Sequence, residues 1–176
     1  MRPHGFWESE TSMAVYEDWS TERAAQVISE NRHLEGATMP ILHALQETFG
    51  FVPDPAVPMI AESLNLSRAE VYGVLTFYHD FRREAPGRHV VKLCAAEACQ
   101  SVGGKALAHY AEEKLGVDMG STSPDGRVTL EPIYCLGLCA CAPSALVDGQ
   151  LVGRLDRSAI DEIADCFANG KSFGDV

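Results

Sequence analysis

The chain has 176 residues, 46% of them apolar, with 25 acidic and 14 basic side chains and a net charge of −11. That length suits one ordinary domain or two small ones, and the near-average composition excludes disordered and fibrous classes. No apolar run approaches the ~18 to 20 residues of a membrane span. The acidic first twenty residues do not read as a secretory signal, and so acidic a chain has no global field to attract nucleic acid. The expected compartment is the cytoplasm, where thiols stay reduced.

The pattern changes near Pro86-Gly87. Residues 1–19 show no periodicity and read as a tail or partner arm. Residues 20–85 carry helix punctuation and no cysteine, and read as a helical bundle. A helix is predicted from about Thr21 to His33, with Ala24, Val27 and Ile28 inward. A second follows Thr38, with Pro40 in its first turn, Ile41, Leu42, Leu45 and Phe49 as its stripe, and Gly50 as its stop. A third begins at Asp54-Pro55 and contains Ile60 and Leu64. Ser67 and Glu70 form a capping box that opens a fourth, with Val71, Val74, Leu75 and Tyr78.

Residues 86–176 hold all six cysteines and alternate short β-branched runs with helices. Arg88 to Ala95 reads as a strand, Gly103 to Leu115 as a helix and Val128 to Tyr134 as a strand. Residues 145–152 read as a hairpin turning at Asp148-Gly149. Asp156 caps a last helix that stops at Gly170. The fold class is therefore α+β, an N-terminal helical bundle followed by a thioredoxin-like β-α-β-β-β-α domain. The first strand and crossover helix favour a right-handed unit.

Cys94 and Cys99 form one close pair, and Cys135, Cys139 and Cys141 crowd into seven positions. Short-spaced thiols in a reducing compartment read as metal ligands before disulfides. Cys94 ends the first strand and Cys99 lies in the loop before the helix. Cys135 and Cys139 follow the next strand. In a β-α-β unit both loops leave the same sheet edge, so four thiolates converge from two loops. A [2Fe–2S] cluster wants four thiolates, two per iron, and each loop offers a pair. The small residues Ala95, Ala96, Ala98, Gly137, Ala140 and Ala142 let backbone N–H groups approach the cluster. Zinc remains open as an alternative, since ligand gaps of four and three residues fit its range too. Cys141 reads as a semi-buried free thiol able to compete with Cys139, and Cys166 as core.

At these residues a resemblance emerges. Cys94-Ala-Ala-Glu-Ala-Cys99, with Glu131-Pro-Ile-Tyr-Cys135-Leu-Gly-Leu-Cys139-Ala-Cys-Ala-Pro143, resembles the thioredoxin-like [2Fe–2S] ferredoxin family. Residues 39–50 and 66–78 resemble that family's N-terminal helical domain. The family includes the small iron–sulfur subunit of respiratory complex I, its counterpart in NAD-linked hydrogenases, and the gamma subunit of NAD-dependent formate dehydrogenases. The resemblance implies one [2Fe–2S] cluster on Cys94, Cys99, Cys135 and Cys139. It implies a non-catalytic electron-transfer subunit beside a flavoprotein subunit that binds FMN and NAD(H). Ala96-Glu-Ala-Cys-Gln100 and Phe77-Tyr-His-Asp-Phe-Arg82 look most like the formate dehydrogenase subunit, which implies a larger molybdenum-containing catalytic subunit as well. The equivalent subunit of complex I or of a hydrogenase is the alternative.

No G-x-G-x-x-G loop is present, so nicotinamide is expected on the partner and not on this chain. The rival from another class is a DNA-binding helix-turn-helix over residues 60–78. Its second helix offers Arg68 beside Glu70 within a half of net charge −7, a poor match to a phosphate backbone. The histidines are scattered and no catalytic residue is expected. Glu97 reads as a solvated loop carboxylate, and Tyr134 as a shield beside the site.

Overall fold

The structure is a computed structural model that describes residues 16–171 and 173. The chain folds as two compact units, one ending at Pro86 and one beginning at Gly87.

The first unit is built from four helices, α1 (Thr21–Asn31), α2 (Thr38–Phe49), α3 (Ala56–Leu64) and α4 (Arg68–Phe77). Their ends are set by local chemistry. The Ser20 side chain accepts from the Arg23 N–H and opens α1. Pro40 sits in the first turn of α2, where its missing N–H has no helical acceptor to lose. Gly50 closes that helix at φ 80, in the left-handed region where a Cβ is disfavoured. Both hydrogen bonds of the Ser67–Glu70 capping box are present at the head of α4. Ile41, Leu42, Leu45, Phe49, Ile60, Val71 and Leu75 are almost wholly buried. Each large one contributes ~1.5 to 3 kcal/mol by leaving water. The segment after α4 is tied back by Gln46, whose side chain donates to the Asp80 carbonyl and accepts from the Arg82 N–H, both at 2.7 Å.

The predicted tail of residues 1–19 falls mostly on residues outside those described. Of the rest, Trp19 packs edge-on against Phe49, ring centroids 5.0 Å apart. Glu17 pairs with Arg23 at 2.9 Å. These last positions belong to the helical unit.

The second unit is a mixed five-stranded sheet with helices, as the thioredoxin-like expectation required. Its strands are β1 (His89–Cys94), β2 (Ser121–Thr122), β3 (Val128–Ile133), β4 (Ser144–Val147) and β5 (Gln150–Gly153), in the order β2-β3-β1-β4-β5. β1 and β3 are parallel, joined through α5 (Glu97–Ser101) and α6 (Gly104–Leu115), and the other pairs are antiparallel. The two-residue β2 and the five-residue α5 have no counterpart in the sequence reading, because neither carries an apolar period. α7 (Arg157–Ala168) starts at Asp156, whose side chain accepts from the Ala159 N–H. Leu107, Ala111 and Leu115 of α6 share one core with Ile160, Ile163 and Phe167 of α7 and with Val91, Leu93, Val128, Leu130, Ala145 and Val147 of the sheet.

The hairpin turns at Asp148 (φ 48) and Gly149 (φ 85), both left-handed as a type I′ turn demands. Asp148 also locks the turn to β1. Its carboxylate accepts from the Val90 N–H at 2.8 Å and from His89 Nδ1 at 2.7 Å. His89 is fully buried and stacks on Phe167 with centroids 4.0 Å apart.

Candidate metal centre

The register of the parallel pair sets where the cysteines meet. Cys94, the last residue of β1, lies opposite Ile133, the last residue of β3. The Ala95 N–H donates to the Ile133 carbonyl at 2.8 Å, carrying the pairing one step further. The two strands therefore release their loops side by side.

The first loop runs straight into α5, which carries Cys99. Cys94 and Cys99 are 7% and 1% exposed. Gly104, at the start of α6, packs so closely on this loop that a Cβ there would lie 2.6 Å from the Cys99 carbonyl oxygen. Only glycine lets α6 approach that near. On its other side the Cys99 sulfur lies 3.6 Å from the buried Ser144 hydroxyl.

The second loop is shaped differently. Cys135 adopts φ 79 and Gly137 φ 78. A non-glycine residue in that region is held there against a cost of ~1 to 3 kcal/mol. The bend lets the Gly137 N–H donate to Cys135 Sγ at 3.4 Å. Cys139 opens a 3-10 turn, Cys139–Cys141. Cys135 and Cys139 are exposed, and their sulfurs are 3.7 Å apart. Two thiolates on one tetrahedral metal at ~2.3 Å stand ~3.8 Å from each other, so this pair is spaced for one metal.

The pairs also sense each other. Burial pushes the Cys94 thiol up, but the Ala96 N–H, the Cys99 thiol and the Cys135 and Leu136 N–H groups outweigh it and hold Cys94 below its ordinary value. Two amides of the second loop thus reach the sulfur of the first. The Cys139 thiol is raised by its hydrogen bond and charge interaction with Cys135, then by burial and by the charges of Cys99 and Cys94. Four thiolates gathered so closely repel one another, and cations between them relieve that repulsion. Among the described residues no three Cys, His, Asp or Glu side chains converge on one point as a single ion needs. Two pairs of cysteines, one from each loop, are the donor set that a [2Fe–2S] cluster takes.

Comparison with known proteins then gives the lineage. Residues 24–168 match the family described as thioredoxin-like [2Fe-2S] ferredoxin. The chain belongs to that family. The family implies a [2Fe–2S] cluster, and the donor set found here suits one. The chain is 33% identical over 150 residues to an NADH-quinone oxidoreductase subunit of Pseudomonas aeruginosa, covering 84% of this chain and 90% of that one. It is 30% identical over 138 residues to the HndA subunit of the NADP-reducing hydrogenase of Solidesulfovibrio fructosivorans, covering 78% and 81%. An NAD+-reducing [NiFe]-hydrogenase structure shares the fold, with a TM-score of 0.65 at 22% identity over 76% of this chain, which spans 23% of that chain. These relatives point to the complex I and hydrogenase alternative more than to formate dehydrogenase.

The remaining predicted residues fall outside the pairs. Cys141 is half-buried and pressed against Gly153, where an added Cβ would lie 2.9 Å from the Cys141 Cβ. Cys166 is half-buried on α7 beside the core. Tyr134 is 76% exposed, so its ring stands out into solvent beside the site. Glu97 is exposed in the first turn of α5. Sequence reasoning missed Ser144 and Gly104. Ser144 gave no signal, because only the fold brings β4 to Cys99. Gly104 was visible as half of a Gly-Gly step at a helix start, without its reason.

Proposed function

We propose that Cys94, Cys99, Cys135 and Cys139 hold one [2Fe–2S] cluster, two thiolates to each iron, and that the chain is an electron-transfer subunit without a catalytic site of its own. The observation that carries this reading is the meeting of a buried pair and an exposed pair at the shared end of β1 and β3. When bound, such a cluster exchanges one electron at a time. Cys94 and Cys99 keep one side of the site away from water. Cys135 and Cys139 leave the other side open to a partner. Amide N–H groups of Ala96, Cys135 and Leu136 offset negative charge at Cys94. Cys141 and Cys166 are not ligands.

The partner is a flavoprotein subunit carrying FMN and NAD(H), since the chain has no dinucleotide loop. Hydride chemistry stays there. The helical unit, residues 20–85, docks to that subunit. Its α4 ends in an exposed aromatic pair, Phe77 at 73% and Tyr78 at 45% exposure, packed edge to face at 5.1 Å. Such a surface suits a protein interface better than a DNA backbone. The parent complex is of the NADH-quinone oxidoreductase or NAD(P)-linked hydrogenase kind, as the relatives' names suggest. Formate dehydrogenase, with its molybdenum subunit, is the second reading. It rests on residues 96–100 and 77–82.

Purification under native conditions tests both levels. The expected product is reddish-brown, with two irons and two acid-labile sulfides per chain, and carries a flavoprotein with it. A colourless protein with one zinc would sink the cluster. Co-purification of a molybdenum subunit, with loss of NAD-linked formate oxidation on gene disruption, would favour the second reading over the first.

A further inference from the structure

Ser144 opens β4 and is 2% exposed. A buried hydroxyl needs a hydrogen-bond partner, because leaving it unpaired is unfavourable by more than a bond is worth. The partner of its Oγ among the described residues is Cys99 Sγ, 3.6 Å away. Cys99 is itself 1% exposed, fixed from the other side by the close approach of Gly104. The two groups meet where water does not compete.

We propose that Ser144 is a positioning residue that tunes the reduction potential of the site by donating its hydroxyl proton to the Cys99 thiolate. This rests on Cys99 being a ligand. A ligating cysteine has lost its proton, so the sulfur can only accept and the hydroxyl must donate. Reduction adds one negative charge to a site that already carries four thiolates. A donor aimed at one of them favours the more negative, reduced state over the oxidised one. The hydroxyl therefore holds the potential up. Its loss favours the oxidised form without removing a ligand.

The test is an EPR-monitored redox titration of the purified holoprotein, with iron and labile sulfide counted in each sample. Ser144→Ala and Ser144→Gly remove the hydroxyl, and Ser144→Thr keeps it. The expected result is two irons throughout, with the reduced-to-oxidised ratio at fixed potential falling about tenfold in the hydroxyl-free variants, a shift of about 59 mV to more negative potential for one electron. Ser144→Thr should stay near wild type. An unchanged potential in a hydroxyl-free variant that keeps both irons overturns the proposal. So does an equal shift in Ser144→Thr, or loss of iron in both hydroxyl-free variants, which would make the residue purely structural. A wild-type protein without iron would instead defeat the ligand reading itself.

Discussion

The two thiol pairs of this site have the same residues and opposite surroundings. Cys94 and Cys99 are buried, one at the end of a strand with neighbours on both sides and one on a short helix beneath α6. Cys135 and Cys139 stand exposed on a loop bent through two left-handed positions. The first pair is held by packing that exists whether or not a metal is present. The second is held by local backbone geometry, and a metal would add the most order there. A site assembled in this way has a preformed floor and a closing edge.

The largest expected effect follows from that contrast. In the chain stripped of metal by chelator, Cys135 and Cys139 should be alkylated by iodoacetamide at least about a hundredfold faster than Cys94 and Cys99, read by mass spectrometry. Reaction at a buried thiol must wait for local opening, which is rare in a packed strand end. The protonation tendencies run the other way, with Cys94 held low and Cys139 raised, and thiolate is the reactive form. Faster labelling of Cys94 would show that protonation outweighs burial and would break the comparison.

Substitution of two glycines sharpens it. A Cβ at Gly104 would meet the Cys99 carbonyl at 2.6 Å, so Gly104→Ala must push α6 off the buried pair. Overpacking of this kind costs ~1 to 3 kcal/mol. At Gly137 nothing lies within 4 Å of a Cβ, and the obstacle is only φ +78, the low end of the ~1 to 3 kcal/mol that such a backbone costs, since no clash compounds it. Urea denaturation should therefore rank Gly104→Ala below Gly137→Ala. Iron release to a chelator should also be faster in Gly104→Ala. The reverse order would mean that the exposed loop, not the buried floor, governs the site.

How much of this was legible in the sequence depended on range. The Gly50 stop of α2, the capping box of α4, the Asp148-Gly149 turn and the stripe Ile41, Leu42, Leu45 and Phe49 are local signals, and the structure reproduces them, although α2 begins at Thr38 itself and has no side-chain cap at its start. The convergence of two cysteine loops was legible because a parallel β-α-β unit has few alternatives. The long-range side-chain contacts were not. Ser144 reaches Cys99 across 45 positions of chain, and His89 reaches Asp148 across 59. A lone serine or histidine carries no periodicity to announce such a contact. The left-handed turn at Cys135 was equally hidden, since the residue there is not the glycine that usually marks one.

The smallest effect concerns α6, the helix that braces the buried pair. Glu112 reaches past the end of α6 and accepts from the Met119 N–H at 2.9 Å, with His109 Nδ1 3.3 Å from its other oxygen. The Met119 N–H, then His109, hold its carboxyl below the ordinary value of 4.5. A carboxyl lowered by folding stabilises the fold where it is ionised in both states, above that ordinary value. The contribution is lost as pH falls through the lower folded value, where the folded state must also take up the proton. Glu112→Gln should lower the urea midpoint of the metal-free chain slightly at pH 7. The gap from wild type should close as the solution is taken well below pH ~4. The exposed loop has no such carboxylate hook among the described contacts, so iodoacetamide labelling of Cys135 and Cys139 should not follow this substitution, whereas the slow labelling of Cys99 should quicken. A gap that persists at low pH would show that Glu112 acts through its packing and not through its charge, and would detach acid sensitivity from the floor of the site.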